Sequence, residues 1–153
     1  MKISPNHNLR QLFVSLLDYI GCVLVRFNMQ STKFASTPLP ISAFHCHSET
    51  AQHLVERGSY EVGTVHTGNQ SLMYVMVVAQ PDIAHAVRVD NRFMHNPVRS
   101  HWNAVKHVFR CLVGTKDYGI LFGPNDTSSV VGYTDSDFAS YVDIQKSTTR
   151  YNL

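Results

Sequence analysis

The chain has 153 residues, 44% of them hydrophobic and 10% aromatic but only 16% charged, and its thirteen Lys and Arg against eleven Asp and Glu leave a formal charge of +2. That balance excludes a disordered, collagen-like or disulfide-dense chain, and the charge is too small to announce a nucleic-acid-binding protein by electrostatics alone. The length is that of one domain with one core. Cys22, Cys46 and Cys111 are an odd number with no Cys-x-x-Cys pair, which indicates neither a disulfide framework nor a zinc ribbon and fits a reducing compartment.

Residues 12–25, LFVSLLDYIGCVLV, form an apolar run with Asp18 in its middle. A central aspartate costs about 2.5–3.5 kcal/mol in a spanning helix and the run falls short of ~20 residues, so the expectation is a soluble intracellular chain with no membrane partner. Within and beyond it Leu12, Leu16, Leu17, Ile20, Val23, Leu24 and Phe27 recur at spacings of three and four. This predicts an amphipathic helix near residues 15–27 with Ser15 available as its N-cap, residues 12–14 having the alternative of a short strand leading in. After Met29, Pro38 and Pro40 and a low apolar content through residue 69 read as a linker, and so long a structureless stretch implies that two pieces of structure are being joined.

From Gln70 the segment SLMYVMVVA predicts a buried helix ended by Pro81, and Asp82 starts a second through Ile83, Ala86, Val87 and Met94, closed by Pro97. A third begins near Ser100, carries Trp102, Val105, Phe109 and Leu112 on one stripe, and ends at Gly114. Residues 118–122, 130–134 and 148–153 read as strands able to form an antiparallel meander, which makes the fold class α+β, helices first.

An apolar strand running into Asp135 and Asp137 places two carboxylates on one face of an extended chain, an arrangement that suits Mg²⁺. Two bare strand-end carboxylates are the alternative, since Asp-x-Asp is a weak signal. His45, Cys46, His47 and His53 lack the spacing of a structural zinc site and read as a polar loop. His101, Lys106, His107 and Arg110 give the third helix a modest basic face that Arg88, Arg92 and Arg99 could extend toward phosphates, the alternative being a plain solvated surface.

Several segments carry a family likeness in order: YIGCVLVRFNM at residues 19–29, STPLP at 36–40, SLMYVMVVAQPDIAHAV at 71–87, RFMHNP at 92–97, HWNAVKHVFRCLVGTKDYGILF at 101–122, GYTDSDFAS at 132–140 and KSTTRY at 146–151. Together they resemble the Pol polyprotein of copia-type long-terminal-repeat retrotransposons. The resemblance implies that residues 1–33 are the end of a reverse transcriptase region, 34–69 a linker, 70–117 a helical connection, and 118–153 the first antiparallel strands of a truncated ribonuclease H-like sheet. It matches Asp135 to the family's first metal-binding aspartate of ribonuclease H, an incomplete Mg²⁺ site here that is not expected to hold the ion stably, and it carries no role to Asp137.

The chain also departs from that pattern. The polymerase's Tyr-x-Asp-Asp is absent, Gln70, Gln80 and Ser140 stand where the family usually has glycine, arginine and glycine, and the further ligands of ribonuclease H would lie beyond Leu153. The expectation is therefore a Pol fragment that is catalytically inactive alone, with the remainder of Pol and RNA–DNA hybrid as the partners the resemblance implies. The alternative is a nucleic-acid or protein interaction module using His101, Lys106 and Arg110.

Overall fold

A computed structural model describes residues 1–39, 62–92, 94, 97, 99–124, 133–136 and 149–152. Met1–Gly123 form one compact unit and Pro124–Leu153 a second. The fold is α+β: in the first unit strands β1 (Lys2–Asn6) and β2 (Gln11–Ser15) precede helices α1 (Leu17–Arg26), α2 (Val62–Val78), α3 (Ala84–Asn91) and α4 (Arg99–Thr115), and β3 (Gly119–Phe122) follows them.

β1 and β2 are an antiparallel hairpin in which Ile3 faces Val14 and Asn6 faces Gln11. Its turn is closed by Asn6 Oδ1, which accepts the Leu9 N–H at 3.3 Å, and by Arg10 at φ 50°. α1 starts directly after β2, so Ser15 is the last residue of a strand and not the expected cap; Leu16 occupies the cap position without a side-chain hydrogen bond. The helix ends in a Schellman turn: Asn28 is left-handed at φ 54°, its N–H bonds to Val25 O, and Met29 N–H reaches back to Leu24 O at 2.7 Å. Asn tolerates that conformation, and the buried Met29 and Leu24 supply the apolar contact that accompanies it.

α2 begins at Val62, eight residues before the helix predicted at Gln70. Thr67 and Ser71 turn their hydroxyls inward to the carbonyls of Gly63 and Thr67, while Val65, Leu72 and Val75 enter the core. Gly68 lets α4 come close: a Cβ there would lie 3.2 Å from Val105 Cγ1 and 3.3 Å from Trp102 Cζ3. Ile83 in the short 3₁₀ turn Pro81–Ile83, Ala86 and Val87 of α3, and Val105, Val108, Phe109 and Leu112 of α4 complete one core with Leu16, Ile20, Val23 and Leu24. Phe27 stacks on Phe109 at 4.9 Å between ring centroids and tilts against Trp102 at 6.0 Å.

β3 corrects the expected meander. It pairs antiparallel with β2, from Ser15 opposite Gly119 to Leu12 opposite Phe122, so the sheet order is β1-β2-β3. Gly119 permits this, because the space a Cβ would need lies 2.2 Å from Val14 O. In the second unit β4 (Tyr133–Ser136) and β5 (Thr149–Asn152) form an antiparallel pair of their own. No helix of the described residues is long and apolar enough to cross a membrane; residues 12–25 are divided between β2 and α1.

Candidate functional site

Asp135 lies in β4 directly opposite Arg150 of β5, with Tyr133 opposite Asn152 two positions away. Asp137, Asp143 and the group His45, Cys46, His47 and His53 lie outside the described residues. Among the described residues no three His, Cys, Asp or Glu side chains gather in the way a metal ion requires.

The four basic residues singled out on α4 are separated by the helix itself. At 100° per residue His101 points roughly 140° away from Lys106 and about 180° away from Arg110. His101 is only 4% exposed, on the core stripe with Ala104, Val105, Val108 and Leu112. The shared basic face of His101 with Lys106 and Arg110 is therefore not formed. Its position four before Val105 and eight before Phe109 was the signal that places it inside.

Lys106, His107 and Arg110 do lie on the outer side, and their donors are partly committed. The Arg110 Nε–H donates to Lys33 O at 2.9 Å, the Ala35 N–H donates to Arg110 O at 3.1 Å, and His107 Nε2 donates to Thr37 O at 3.0 Å. Phe34 sits where Gly114 has no side chain, its Cβ 3.4 Å from the position a Cβ would take. Lys106 instead holds its ammonium 5.9 Å from the centre of the Trp102 ring, and Arg26 holds its guanidinium 5.9 Å from that of Phe27. Since Phe27 and Trp102 touch, two cations flank one half-buried aromatic cluster. Sequence spacing did not reveal that grouping, because Arg26 and Lys106 come from helices far apart in the chain.

Three buried polar side chains were also missed. Asn69 and Asp90 are each 2% exposed, and Gln80 is 1% exposed. Asn69 Nδ2 donates to Asn91 Oδ1, while Asn69 Oδ1 and Asp90 Oδ2 have no hydrogen-bond partner among the described residues. Burial in this apolar surrounding raises the Asp90 carboxyl from 3.8 to about 7. The signal lay in the periodicity, since Asp90 continues the stripe of Ile83, Ala86 and Val87. Burial, with the negative charge of Asp82 second, likewise pushes the Cys111 thiol up, which makes it a poor nucleophile.

Compared with known proteins, the chain is 41% identical over 151 residues, 99% of its length, to the retrovirus-related Pol polyprotein from transposon TNT 1-94 of Nicotiana tabacum. The chain is similar, almost end to end, to a stretch of a transposon Pol polyprotein. A second such relative, from transposon RE2 of Arabidopsis thaliana, is 33% identical over 141 residues, 92% of this chain. The chain spans 11% of the tobacco Pol polyprotein and 9% of the Arabidopsis one. The secreted RxLR effector protein 161 of Plasmopara viticola is 43% identical over 81 residues, covering 53% of this chain and 57% of that protein. No protein-family model matches the chain. No solved structure matches it either.

Proposed function

We propose that this chain corresponds to the part of a copia-type retrotransposon Pol polyprotein that runs from the end of the reverse transcriptase region, through a helical connection, into the first strands of a ribonuclease H-like domain. On its own it catalyses neither nucleotide addition nor hybrid cleavage. The observation that carries this reading is the 41% identity to the tobacco Pol polyprotein over 99% of the chain, in one continuous stretch. The α+β make-up, four helices with antiparallel strands on either side of them in the chain, is compatible with it. The remainder of Pol is the natural partner for the apolar side chains that α2 leaves at the surface, Met73, Tyr74 and Val77.

We propose that Asp135, one carboxylate, does not hold Mg²⁺ stably by itself. Mg²⁺ in the parent family is a hard ion that stabilises charge on the phosphate oxygens, and a two-metal site needs several carboxylates to hold ions about 4 Å apart. Asp135 stands opposite Arg150 in the β4–β5 register. No catalytic step is derived through the ion. The test is incubation of purified protein with an RNA–DNA hybrid and Mg²⁺. No cleavage is expected, and cleavage that Asp135→Asn abolishes would overturn the reading.

A second reading is favoured by the pairing of Arg26 with Phe27 and of Lys106 with Trp102. Cations set beside half-buried rings are the chemistry that holds nucleic-acid backbones and bases. The helical unit would then contact nucleic acid without catalysis, through Arg26 and Lys106, with Arg110 as a further cation. Binding to an RNA–DNA hybrid that weakens with salt, and weakens further in Arg26→Ala and Lys106→Ala, is the expected result. Absence of binding at low salt removes this reading.

A further inference from the structure

Residues 33–37 lie along the outer side of α4 and engage Arg110 Nε, Arg110 O and His107 Nε2. The carbonyls of Lys33 and Thr37 accept from Arg110 Nε and His107 Nε2, and the Ala35 N–H bonds to Arg110 O. Phe34 rests on Gly114 but is 60% exposed, so it contributes little burial. The segment is anchored more firmly at its two ends. Met29 is buried and takes both the Thr32 N–H and the Thr32 hydroxyl on its carbonyl, and Leu39 packs against the core. Between these anchors the chain is held almost entirely by polar bonds exchanged with α4.

We propose that residues 33–37 are a displaceable strap that withholds the His107 and Arg110 side of α4 from polyanions, so that nucleic acid engages this side only when the strap lifts. The inference rests on the reading that the helical unit contacts nucleic acid, and adds a control to it. A phosphate oxygen and a backbone carbonyl compete for the same N–H donors. The ionised phosphate is the stronger acceptor, so strap and ligand exclude one another at Arg110 Nε and His107 Nε2. Lys106 and Arg26, whose ammonium and guanidinium lie over rings, remain outside this competition. The surface therefore has two states, one with Arg26 and Lys106 alone and one with Arg110 and His107 added.

Two kinds of variant test this in the full chain, each checked for unchanged helix content by circular dichroism. Ala35→Pro deletes the N–H that bonds to Arg110 O, and Phe34→Ser removes the ring from Gly114; each loosens the strap. Cleavage by trypsin at the Lys33 bond, read by mass spectrometry, is expected to rise about five-fold, as for the loss of one ordinary hydrogen bond. Affinity for an RNA–DNA hybrid at low salt is expected to tighten by a similar factor of about five, and adding His107→Ala with Arg110→Ala cancels the gain.

The converse is a locked strap. The 3.4 Å between Phe34 Cβ and a Cβ built at Gly114 is close to the ~3.8 Å of disulfide-bonded pairs. Phe34→Cys with Gly114→Cys, with Cys22 and Cys46 replaced by Ser, is expected to bind the hybrid more weakly when oxidised and to recover on reduction. Unchanged trypsin cleavage in both loosened variants overturns the strap. So does faster cleavage without tighter binding, or equal binding by oxidised and reduced locked protein, and in both cases the nucleic-acid reading survives. Absence of hybrid binding by every variant instead removes that reading and the strap with it.

Discussion

Gln80 and Thr115 hold each other: Gln80 Nε2 donates to Thr115 O at 2.5 Å, and the Thr115 hydroxyl donates to Gln80 Oε1 at 3.3 Å. The pair joins the end of α2 to the last turn of α4. The final carbonyls of a helix lack intrahelical partners, and here Thr115 O takes the Tyr118 N–H and, from outside, a neutral amide 1% exposed. Gln80 stands where the Pol resemblance usually has arginine, and a neutral side chain avoids desolvating a guanidinium at this depth. Replacing Gln80 by Leu keeps the volume and removes one of two bonds on Thr115 O, which also accepts the Tyr118 N–H at 2.9 Å, and leaves the Thr115 hydroxyl without its Gln80 acceptor. The expected loss is about 0.5–1.5 kcal/mol, read as a lower urea midpoint with an unchanged slope. An unchanged midpoint would mean that water takes over the amide's role.

Gly119 is the point on which β3 depends. With Val14 O 2.2 Å from where a Cβ would sit, and the Phe13 ring at 2.9 Å, no side chain fits while the strands stay paired. Gly119→Ala is expected to detach β3 from β2, exposing the β3 amides that bond to β2 to hydrogen exchange, at a cost of about 1–3 kcal/mol. Protection of those amides at the wild-type level would contradict the pairing. Lost protection throughout α1 and α4 as well would mean that the sheet and the helices unfold as one.

Gly63 and Gly68 share a helix and are expected to respond with opposite signs. Nothing lies within 4 Å of a Cβ at Gly63, whereas at Gly68 it would press on Val105, Trp102 and Phe109. Gly63→Ala reduces the freedom of the unfolded chain without a clash and should stabilise by about 0.4–1 kcal/mol. Gly68→Leu overpacks the α2–α4 contact and should destabilise by about 1–3 kcal/mol. Thermal unfolding of the two variants side by side separates helix propensity from packing. Stabilisation by both would mean that α4 is not held against Gly68.

What could be read from the sequence follows from how local the determining interaction is. Ile20, Val23 and Leu24, and Val105, Phe109 and Leu112, recur at helical spacing and are all buried as the periodicity implied. β1 was illegible because KISPN has one large apolar residue and a proline; it is a strand through its pairing with β2, and all five residues are exposed. β3 was seen as a strand but assigned to the wrong neighbours, since its partner β2 precedes all four helices. The early start of α2 was hidden by Gly63 and Gly68, which are poor helix formers in isolation. At the candidate site, charge alone grouped His101 with Lys106 and Arg110. The 3.6-residue period separates them, and the partners of Arg110 come from residues 33–35, which no spacing rule connects to α4.

Asp90 makes the stability of this fold depend on pH in an unusual direction. Its carboxyl is 2% exposed with Oδ2 unpartnered among the described residues, and burial raises it from 3.8 to about 7. Below about pH 3.8 both the folded and unfolded chains carry the proton, and the contribution of Asp90 to stability is fully present. Between about 3.8 and about 7 the unfolded chain ionises while the folded chain stays neutral. Stability then falls with rising pH, by about 1.4 kcal/mol per unit where the difference is complete. Above about 7 both forms are ionised and the slope vanishes. Asp90→Asn keeps a neutral polar group of the same size and removes the titration, so it should match the wild type near pH 4 and exceed it in stability near pH 8. Urea unfolding of both proteins across that range isolates the difference from every other titrating group. Curves that stay parallel would show that Asp90 is ionised in the folded chain and that a cation compensates it.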